Sequence, residues 1–304
     1  MIRQVRVGNV LLGGGNIAVQ SMTTTKTSDV EKSVAQILSL RDAGCDIVRV
    51  AVADEEDARA LRQICGRVGV PVVADVHFSA KLAVLAVENG ADKLRINPGN
   101  IGGEEEIALV ADCVKAHHVP VRVGANTGSI EKKHLEEYGR SAEALVLSAL
   151  DNVAVLEKHG VEDIVVSVKA SDVPLTVEAY TLLRKRCDYP LHLGVTEAGT
   201  RHMGIVKSSI GIGSLLLAGI GETIRVSLSA DPVEEVYAAH DILRACGLEK
   251  DYVDVVACPT CGRCRYDCMG LASRVEARVR TIKKKLKVAV MGCVVNGPGE
   301  AKGL

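Results

Sequence analysis

The sequence predicts a (β/α)8 TIM-like barrel over residues 1–250, followed by a small α+β domain over residues 251–304. Short β-branched runs alternate eight times with helical patterns, and such alternation is typical of a parallel sheet. Eight consecutive units suit a closed barrel, whereas a doubly wound open sheet is the alternative. Five of the ten cysteines follow residue 257, which indicates a second domain with a different role.

The predicted strands are short runs rich in Val and Ile. They are Ile17–Met22, Ile47–Val52, Val72–Val76, Lys93–Asn97, Val121–Asn126, Ile164–Lys169, Leu191–Glu197 and Thr223–Ser229. Stretches with apolar residues at helical spacing follow them. These predicted helices are Asp29–Ala43, Glu55–Val68, Ala80–Asn89, Glu104–His118, Ser141–His159, Val177–Cys187, His202–Leu217 and Val233–Cys246. Asp29 and Ser141 are expected N-caps, and the opening run VRVGNVLLGGG predicts a hairpin that plugs the bottom of the barrel.

Composition limits the classes of function. The net charge of −1 excludes a globally basic nucleic-acid binder and a polybasic membrane binder. With six Tyr, one Phe and no Trp, the core must be aliphatic, and stacking of bases on aromatic side chains is disfavoured. The most apolar stretch, Ile210–Ile220, is too short and Gly-rich to span a membrane, and the N-terminus lacks a signal-peptide pattern. We therefore expect a cytoplasmic protein.

In that reducing compartment, cysteines are expected as metal ligands or buried thiols rather than as disulfides. Five cysteines stand alone in or beside helical patterns, and we expect them to be buried thiols. They are Cys45, Cys65, Cys113, Cys187 and Cys246.

Polar and charged residues gather at the predicted carboxyl ends of the strands, where barrels of this kind carry their active sites. The candidates are Arg49, Asp75, His77, Arg95, Asn97, Arg122, Asn126, Ser167, Lys169, His192, Thr196, Glu197, Arg225 and Ser227. Five of them are cations from five different strands, and any one alone could be a salt bridge at the rim. Together they indicate a small substrate with more than one phosphate, because guanidinium groups match phosphate oxygens.

The stretch KSSIGIGSLL suggests a further phosphate contact at Ser208. Backbone N–H groups at a helix start would face the anion there. Simple tight turns explain the same glycines equally well.

The cysteine-rich tail, residues 258–304, opens with the motif CPTCGRCRYDC, which has the spacing C-x2-C-x2-C-x3-C. That spacing is typical of ferredoxin-type iron–sulfur sites, and paired CxxC thiolates also suit a structural zinc ion. An amphipathic helix with apolar residues from Leu271 to Leu286 on one face is expected next, then the strand VAVMGC. The residues alone leave open which four of six candidate ligands bind. The candidates are Cys258, Cys261, Cys264, Cys268, Cys293 and Glu300.

A series of motifs runs through the chain in the order VQSMT, IVRVAV, ADVHF, KLRINPGN, VRVGANTGS, SVKASD, LHLGVTEAG, KSSIGIGSLL, IRVSLSADP, CPTCGR and GCVVNGPGEAK. In this order they resemble the 4-hydroxy-3-methylbut-2-enyl diphosphate synthase family over nearly the whole chain. The resemblance implies an iron–sulfur reductase of the methylerythritol phosphate route to isoprenoids. Its members open 2-C-methyl-D-erythritol 2,4-cyclodiphosphate with two electrons and loss of water, giving 4-hydroxy-3-methylbut-2-enyl diphosphate.

The resemblance also implies a [4Fe–4S] cluster held by three cysteines and one glutamate, which match Cys258, Cys261, Cys293 and Glu300. A carboxylate ligand exchanges more readily than a thiolate and can leave one iron open to a substrate oxygen. His192 and Glu197 are candidates for proton transfer to the leaving hydroxyl, with hydrogen bonding to the substrate as the alternative.

The family further implies flavodoxin or ferredoxin as electron donor, and a head-to-tail homodimer in which one cluster domain covers the other barrel. The run KKKLK at Lys283–Lys287 is expected as a solvated helix end, with docking of an acidic electron carrier as the alternative. Cys264 and Cys268 are extra thiols that could instead give an all-cysteine cluster. Because the family's cluster domain continues beyond the position of Leu304, we expect an incomplete domain here.

Two other functions stay open at this point. One is a barrel lyase or aldolase that acts on a phosphorylated substrate through a Schiff base at Lys169, with a structural zinc or an electron-carrying cysteine tail. The other is an electron carrier or zinc-stabilised module fused to a barrel. Neither nucleic acid nor a membrane is expected as a partner.

Overall fold

The computed structural model describes residues 1–295 and Gly297. Contacts within the chain divide it into two compact units, one from Met1 to Ile242 and one that begins at Leu243. The first unit contains an eight-stranded sheet, and the second contains a pair of strands and a helix. No helix in these described ranges combines the length and the apolar character needed to cross a membrane.

The predicted opening hairpin is confirmed: β1 (Val5–Val7) and β2 (Val10–Leu12) pair antiparallel. Val5, Val7 and Leu12 are at most 1% exposed. They pack against residues near the amino ends of the barrel strands, which are Ala18, Ile47, Val73 and Val165. Full burial of a Val or Leu side chain contributes about 1.5–3 kcal/mol, so the hairpin closes this end of the barrel stably.

Eight parallel strands, β3 to β10, form the barrel. Their bounds are Ala18–Met22, Ile47–Ala51, Val72–Asp75, Lys93–Arg95, Val121–Asn126, Ile164–Lys169, His192–Leu193 and Thr223–Ile224. Strands β3 to β8 pair in chain order, and β10 pairs with both β3 and β9. A parallel bridge between Val166 and Leu191 joins β8 to the residue before β9, so the sheet closes on itself. The predicted (β/α)8 barrel is therefore confirmed, and the open-sheet alternative is wrong.

Burial on both faces explains why these strands read as apolar runs. Every residue of β8 is buried, for example, from Ile164 to Lys169. The largest differences from the predicted strand ends are at β9, which ends at Leu193, and at β10, which ends at Ile224. The residues that follow them leave the regular ladder and carry polar side chains of the site described below.

Helices α1 to α10 surround the barrel strands or follow them along the chain. Their bounds are Val30–Asp42, Glu55–Val68, Ala80–Glu88, Pro98–Ile101, Glu104–His117, Lys132–Tyr138, Ala142–Lys158, Val173–Arg186, Arg201–Leu217 and Pro232–Ala245. The expected N-caps are confirmed, because the side chains of Asp29 and Ser141 accept hydrogen bonds from the N–H groups of Lys32 and Ala144. The short α4 and the α6 helix were not predicted; α6 buries none of its residues and so has no apolar periodicity to detect.

The second unit is built from β11 (Val253–Ala257), α11 (Cys268–Val279) and β12 (Leu286–Val290), with β11 and β12 parallel. The predicted helix to Leu286 is too long, since α11 ends at Val279 and Leu286 begins β12 instead. The run Lys283–Lys287 therefore lies in the connection and at the start of β12. Its expected position at a helix end is wrong.

Candidate active site

A pocket of 220 Å³ lies at the carboxyl ends of the barrel strands, and we call it the barrel-mouth pocket. Its lining residues are Arg49, Asp75, His77, Arg95, Arg122, Gly124, Asn126, Ser167, Lys169, Thr196, Arg225 and Ser227. All of them except Gly124 were candidates in the sequence. They come together because residues two apart on a strand share a face, and parallel strands end at one edge.

Asp75 is the carboxylate at the centre of the arginines. Its Oδ1 accepts a hydrogen bond from Nη1 of Arg95 at 3.1 Å, and its Oδ2 lies 3.6 Å from Nε of Arg49. The Nε2 atom of His77 lies 3.6 Å from Oδ1. Burial favours the neutral acid, but the neighbouring His77 and the charges of the three nearby arginines outweigh it and hold the pKa of Asp75 below its ordinary value.

A second carboxylate, Glu235, was not anticipated from the sequence. It lies in the first turn of α10, is 4% exposed, and accepts hydrogen bonds from Nε of Arg225 at 3.3 Å and from Oγ of Ser21 at 2.9 Å. The N–H group of Leu228 donates to it at 3.0 Å. An acidic residue in a first helical turn is ordinary, so only the fold reveals that this one restrains a pocket cation.

The pocket contains five cations, and the two carboxylates, Asp75 and Glu235, contact three of them. Positive charge is therefore in excess. Burial, followed by repulsion from the other cations, lowers the pKa of Lys169 and of Arg122 well below their ordinary values. Burial likewise lowers the pKa of Arg49 to about 10, although Asp75 partly offsets it. The Nε atom of Arg122 makes no hydrogen bond within the described part of the chain. Buried cations without partners are costly, so this pocket is arranged to receive an anion with several negative charges.

Two glycines leave room for these side chains. A β-carbon at Gly194 would lie 2.6 Å from Nζ of Lys169 and 2.8 Å from the carbonyl oxygen of Arg225. At Gly124, which has a φ of +158°, it would collide with the backbone of Ser167. Both positions therefore accept glycine only, if the neighbouring groups are to keep their places.

Four candidates lie outside this lining. His192 is fully buried, with Nδ1 3.4 Å from Oγ1 of Thr223, and burial followed by the charge of Lys169 lowers its pKa well below the ordinary value. Glu197 is exposed just beyond β9 and has a φ of +51°. Asn97 caps α4 through a hydrogen bond from the N–H of Gly99.

The fourth, Ser208, corrects an expectation. It is fully buried in the middle of α9, so KSSIGIGSLL is not a helix start and its N–H groups serve the helix. Gly211 of this stretch is a packing position, because a β-carbon there would come within 2.7 Å of Val195. The structure gives no support for a phosphate contact at Ser208.

In the second unit, the cysteines follow the carboxyl ends of two paired strands. Cys258 comes directly after β11 and donates its N–H to the carbonyl of Val290, the last residue of β12, at 2.9 Å. Cys293 follows three residues after Val290. Two of the proposed thiolate ligands thus emerge at one edge, and Cys261 is exposed in the loop beside them. This donor set suits an iron–sulfur cluster. Glu300, the fourth expected ligand, lies outside the described residues.

The two extra thiols have contacts of their own. Cys268 is buried, with Sγ 3.7 Å from the carbonyl of Val290, and Sγ of Cys264 lies 3.2 Å from that of Tyr266. Within the described residues, one group of three His, Cys or acidic side chains has its ligand atoms within 4.8 Å of one another, and this group lies in the barrel unit. It consists of Glu131, His134 and Asp151. The tail thiols are not gathered as closely as one zinc ion would require, with Zn–S bonds of about 2.3 Å.

Solved structures of low sequence identity are similar to this chain in fold only. Dihydropteroate synthase from Stenotrophomonas maltophilia is 17% identical, with a TM-score of 0.56 over 80% of this chain and 96% of that one. A truncated 3-deoxy-D-arabino-heptulosonate 7-phosphate synthase from Thermotoga maritima is 16% identical, with a TM-score of 0.58 over 81% of this chain and 94% of that one.

Sequence relatives are much closer. One from Caldanaerobacter subterraneus subsp. tengcongensis is 57% identical over 99% of this chain and 86% of its own length. One from Brevibacillus brevis is 53% identical over 99% of this chain and 84% of its own length. Both are named 4-hydroxy-3-methylbut-2-en-1-yl diphosphate synthase (flavodoxin).

Two family models cover almost the whole chain. Residues 2–240 match the GcpE TIM-barrel domain, and residues 254–303 match the GcpE protein C-terminal domain. With the relatives above, these matches show that the chain belongs to the GcpE family.

Proposed function

We propose that the chain is an oxidoreductase that opens 2-C-methyl-D-erythritol 2,4-cyclodiphosphate to 4-hydroxy-3-methylbut-2-enyl diphosphate. The reaction takes up two electrons and two protons and releases one water, and it supplies isoprenoid precursors. The observation that carries this proposal is the barrel-mouth pocket, where five cations face two carboxylates. A compact diphosphate provides the charge that this arrangement lacks.

The pocket cations bind the diphosphate oxygens in this proposal. They are Arg49, Arg95, Arg122, Lys169 and Arg225. Asp75 and Glu235 hold three of the arginines in place, and His77 supports Asp75. Neutral polar groups around the cations donate to or accept from the substrate hydroxyl and phosphate groups, and these are Asn126, Ser167, Thr196 and Ser227. Fixed positive charge next to the departing oxygen stabilises the negative charge that develops as the ring opens.

Glu197 and His192 have different parts in the proton transfer. Glu197 is exposed beyond β9, where it can take protons from solvent and deliver one to the leaving hydroxyl. His192 is fully buried among cations, and its low pKa keeps the imidazole neutral. It therefore orients groups by hydrogen bonding rather than by charge.

The tail binds a [4Fe–4S] cluster in this proposal, through Cys258, Cys261, Cys293 and Glu300. When bound, the cluster supplies the electrons and an iron that attracts the departing oxygen. The barrel, residues 1–250, binds and orients the cyclic diphosphate for it. Residues 251–304 hold the cluster ligands.

Two partners complete the proposal. The relatives named above carry flavodoxin in their names, and we take flavodoxin, or a ferredoxin, as the electron donor of this chain. We also propose a head-to-tail homodimer, because it would bring one chain's cluster domain to another chain's barrel. The oligomer is checked by mass measurement in solution under anaerobic conditions.

The test is anaerobic reconstitution with iron and sulfide, followed by electron paramagnetic resonance with and without the cyclic diphosphate. We expect the substrate to change the spectrum, and reduced flavodoxin to support formation of the linear diphosphate. The variant Arg122→Met should bind the cluster normally but lose the substrate-induced change, whereas the exposed Arg67→Met should behave as wild type. The proposal would be contradicted if the spectrum of the reconstituted protein did not change when the substrate was added and no product was formed.

A further inference from the structure

A lysine lies deep in the barrel, beneath the barrel-mouth pocket. Lys93 begins β6 and is 0% exposed, which is rare for a lysine. It pairs in register with Val73, a residue of the apolar cluster that the opening hairpin covers, so both side chains point into the barrel. Its Nζ atom donates a hydrogen bond to Oε1 of Gln20 on β3, at 3.3 Å.

Register places this lysine one level below Arg95 and Arg122. Arg95, two residues further along β6, pairs with Arg122 on β7. Gln20, the acceptor for Lys93, likewise lies two residues before Met22, which pairs with Arg49. Two residues along a strand correspond to roughly 6.6 Å, so Lys93 lies below Arg122 and Gln20 lies below Arg49. We call the Lys93–Gln20 pair the floor of the pocket.

The charged and titratable groups that face the barrel interior in that region come from the consecutive strands β4 to β10. They are Arg49 on β4, Asp75 on β5, Arg95 on β6 itself, Arg122 on β7, Lys169 on β8, His192 on β9 and Arg225 beyond β10. The carboxylate among them, Asp75, is engaged by Arg49, Arg95 and His77. Within the described part of the chain, no carboxylate forms an ion pair with Lys93.

Other polar atoms in the floor and just above it also lack partners. Among the described residues, Nε2 of Gln20, Nε2 of His192 and Nε of Arg122 make no hydrogen bond, although all three atoms are buried. The floor is thus polar, partly unsatisfied and surrounded by positive charge. Burial, followed by repulsion from Arg122 and Arg49, holds the pKa of Lys93 well below its ordinary value.

An anion in the pocket reverses this balance. Pyrophosphate on Arg122 and Arg49 would bring more negative charge to the neighbourhood of Lys93 than the two guanidinium groups bring of positive charge. The ammonium form of Lys93 is then favoured, and the unpaired buried amine becomes a counter-ion to the ligand.

We infer that Lys93 is a positioning residue of the anion site, which takes up a proton when a diphosphate binds above it and thereby couples binding to proton uptake. The inference rests on the proposed function only in taking the barrel-mouth pocket as the diphosphate site. Arg122 and Arg49 would touch the ligand, whereas Lys93 acts from below through the charge it gains.

The test counts protons by isothermal titration calorimetry of inorganic pyrophosphate into the whole protein at about pH 8, in two buffers of different ionisation enthalpy. The variant Lys93→Met keeps an unbranched apolar chain but cannot be charged. We expect wild type to take up about one more proton per bound pyrophosphate than Lys93→Met, and to bind about tenfold more tightly. Protonation of the ligand and of the other pocket groups is common to both proteins and cancels in the difference.

Two further variants separate this role from packing. Lys93→Arg is charged before and after binding, so it should lose the extra proton uptake but keep most of the affinity. Lys81→Met makes the same change at an exposed lysine of the barrel and should match wild type in both respects. A merely structural Lys93 would make Met and Arg equally damaging and leave the proton count unchanged, which would overturn the inference.

If neither buried variant folds, the wild-type protein labelled with ¹³C at lysine Cε gives the answer by nuclear magnetic resonance. The buried resonance should move from the neutral-amine to the ammonium position on addition of pyrophosphate. A resonance that stays in place would overturn the inference. Because the probe is pyrophosphate, lost proton coupling and lost turnover of the cyclic diphosphate are recorded separately.

Discussion

The Nζ atom of Lys169 lies so close to Gly194 that a β-carbon at position 194 would come within 2.6 Å of it. The absence of a side chain just beyond β9 therefore leaves space for the cation that β8 directs into the pocket. We predict that Gly194→Ala displaces the ammonium and raises KM for the cyclic diphosphate by roughly tenfold to a hundredfold.

Gly128→Ala is the matched control for that experiment. Gly128 lies just beyond β7, and no atom stands within 4 Å of the position its β-carbon would occupy. Steady-state kinetics should therefore distinguish the two alanines. Equal KM values in both variants would show that Lys169 does not need the space at Gly194.

Arg122→Lys tests the shape of the cation as well as its charge. A lysine keeps one positive charge but loses the planar pair of donors that fits a phosphate, so we expect KM to rise about tenfold with a smaller change in kcat. The dissociation constant for pyrophosphate should rise in parallel. If Arg122→Lys bound both ligands as wild type does, Arg122 would act as a point charge only.

Glu197→Gln removes the acid but keeps the size and hydrogen-bonding shape of the side chain. We predict normal cluster content and normal binding of the cyclic diphosphate, with kcat lowered about 10²- to 10⁴-fold. Iron analysis, ligand titration and turnover test the three statements separately. Full activity would remove Glu197 from the proton transfer.

Asp75 makes stability depend on acid. Its pKa is lower in the folded protein than in the unfolded chain, so the ionised side chain stabilises the fold at neutral pH, and this contribution is lost as the pH falls below the ordinary value of about 3.9. Asp75→Asn should lower the free energy of unfolding at pH 7 by about 3 kcal/mol. Denaturant melts across pH should show that difference shrinking in acid; a constant difference would indicate a packing effect instead.

The tail cysteines should differ in their effect on the cluster. Cys258→Ser, Cys261→Ser and Cys293→Ser are each expected to lower iron and sulfide content sharply, whereas Cys264→Ser, whose thiol lies on the carbonyl of Tyr266, should retain both. Iron counting after anaerobic reconstitution is the measurement. Loss of iron in Cys264→Ser would point to an all-cysteine cluster.

Much of the pocket could be predicted because it obeys strand geometry. Residues such as Arg95 and Asp75 lie on adjacent strands at their carboxyl ends, and the closed barrel brings those ends together. The alternation of eight strands and helices in the sequence predicts that closure.

The parts that escaped prediction depend on contacts distant in sequence. In the sequence Glu235 is an ordinary acidic residue of a first helical turn, and its contact with Arg225 is visible only in the fold. The expectation for Ser208 was wrong because Gly211, which allows α9 to approach Val195, resembles a phosphate-loop glycine when only the sequence is considered. The exposed α6 helix has no apolar stripe, so nothing in its sequence announced it.

The hairpin formed by β1 and β2 determines how ligands enter and leave the barrel. Because Val5, Val7 and Leu12 close the amino end of the barrel, a ligand bound to Arg122 must enter and leave through the carboxyl end. Newly made linear diphosphate therefore blocks the way for the next cyclic molecule until it has left.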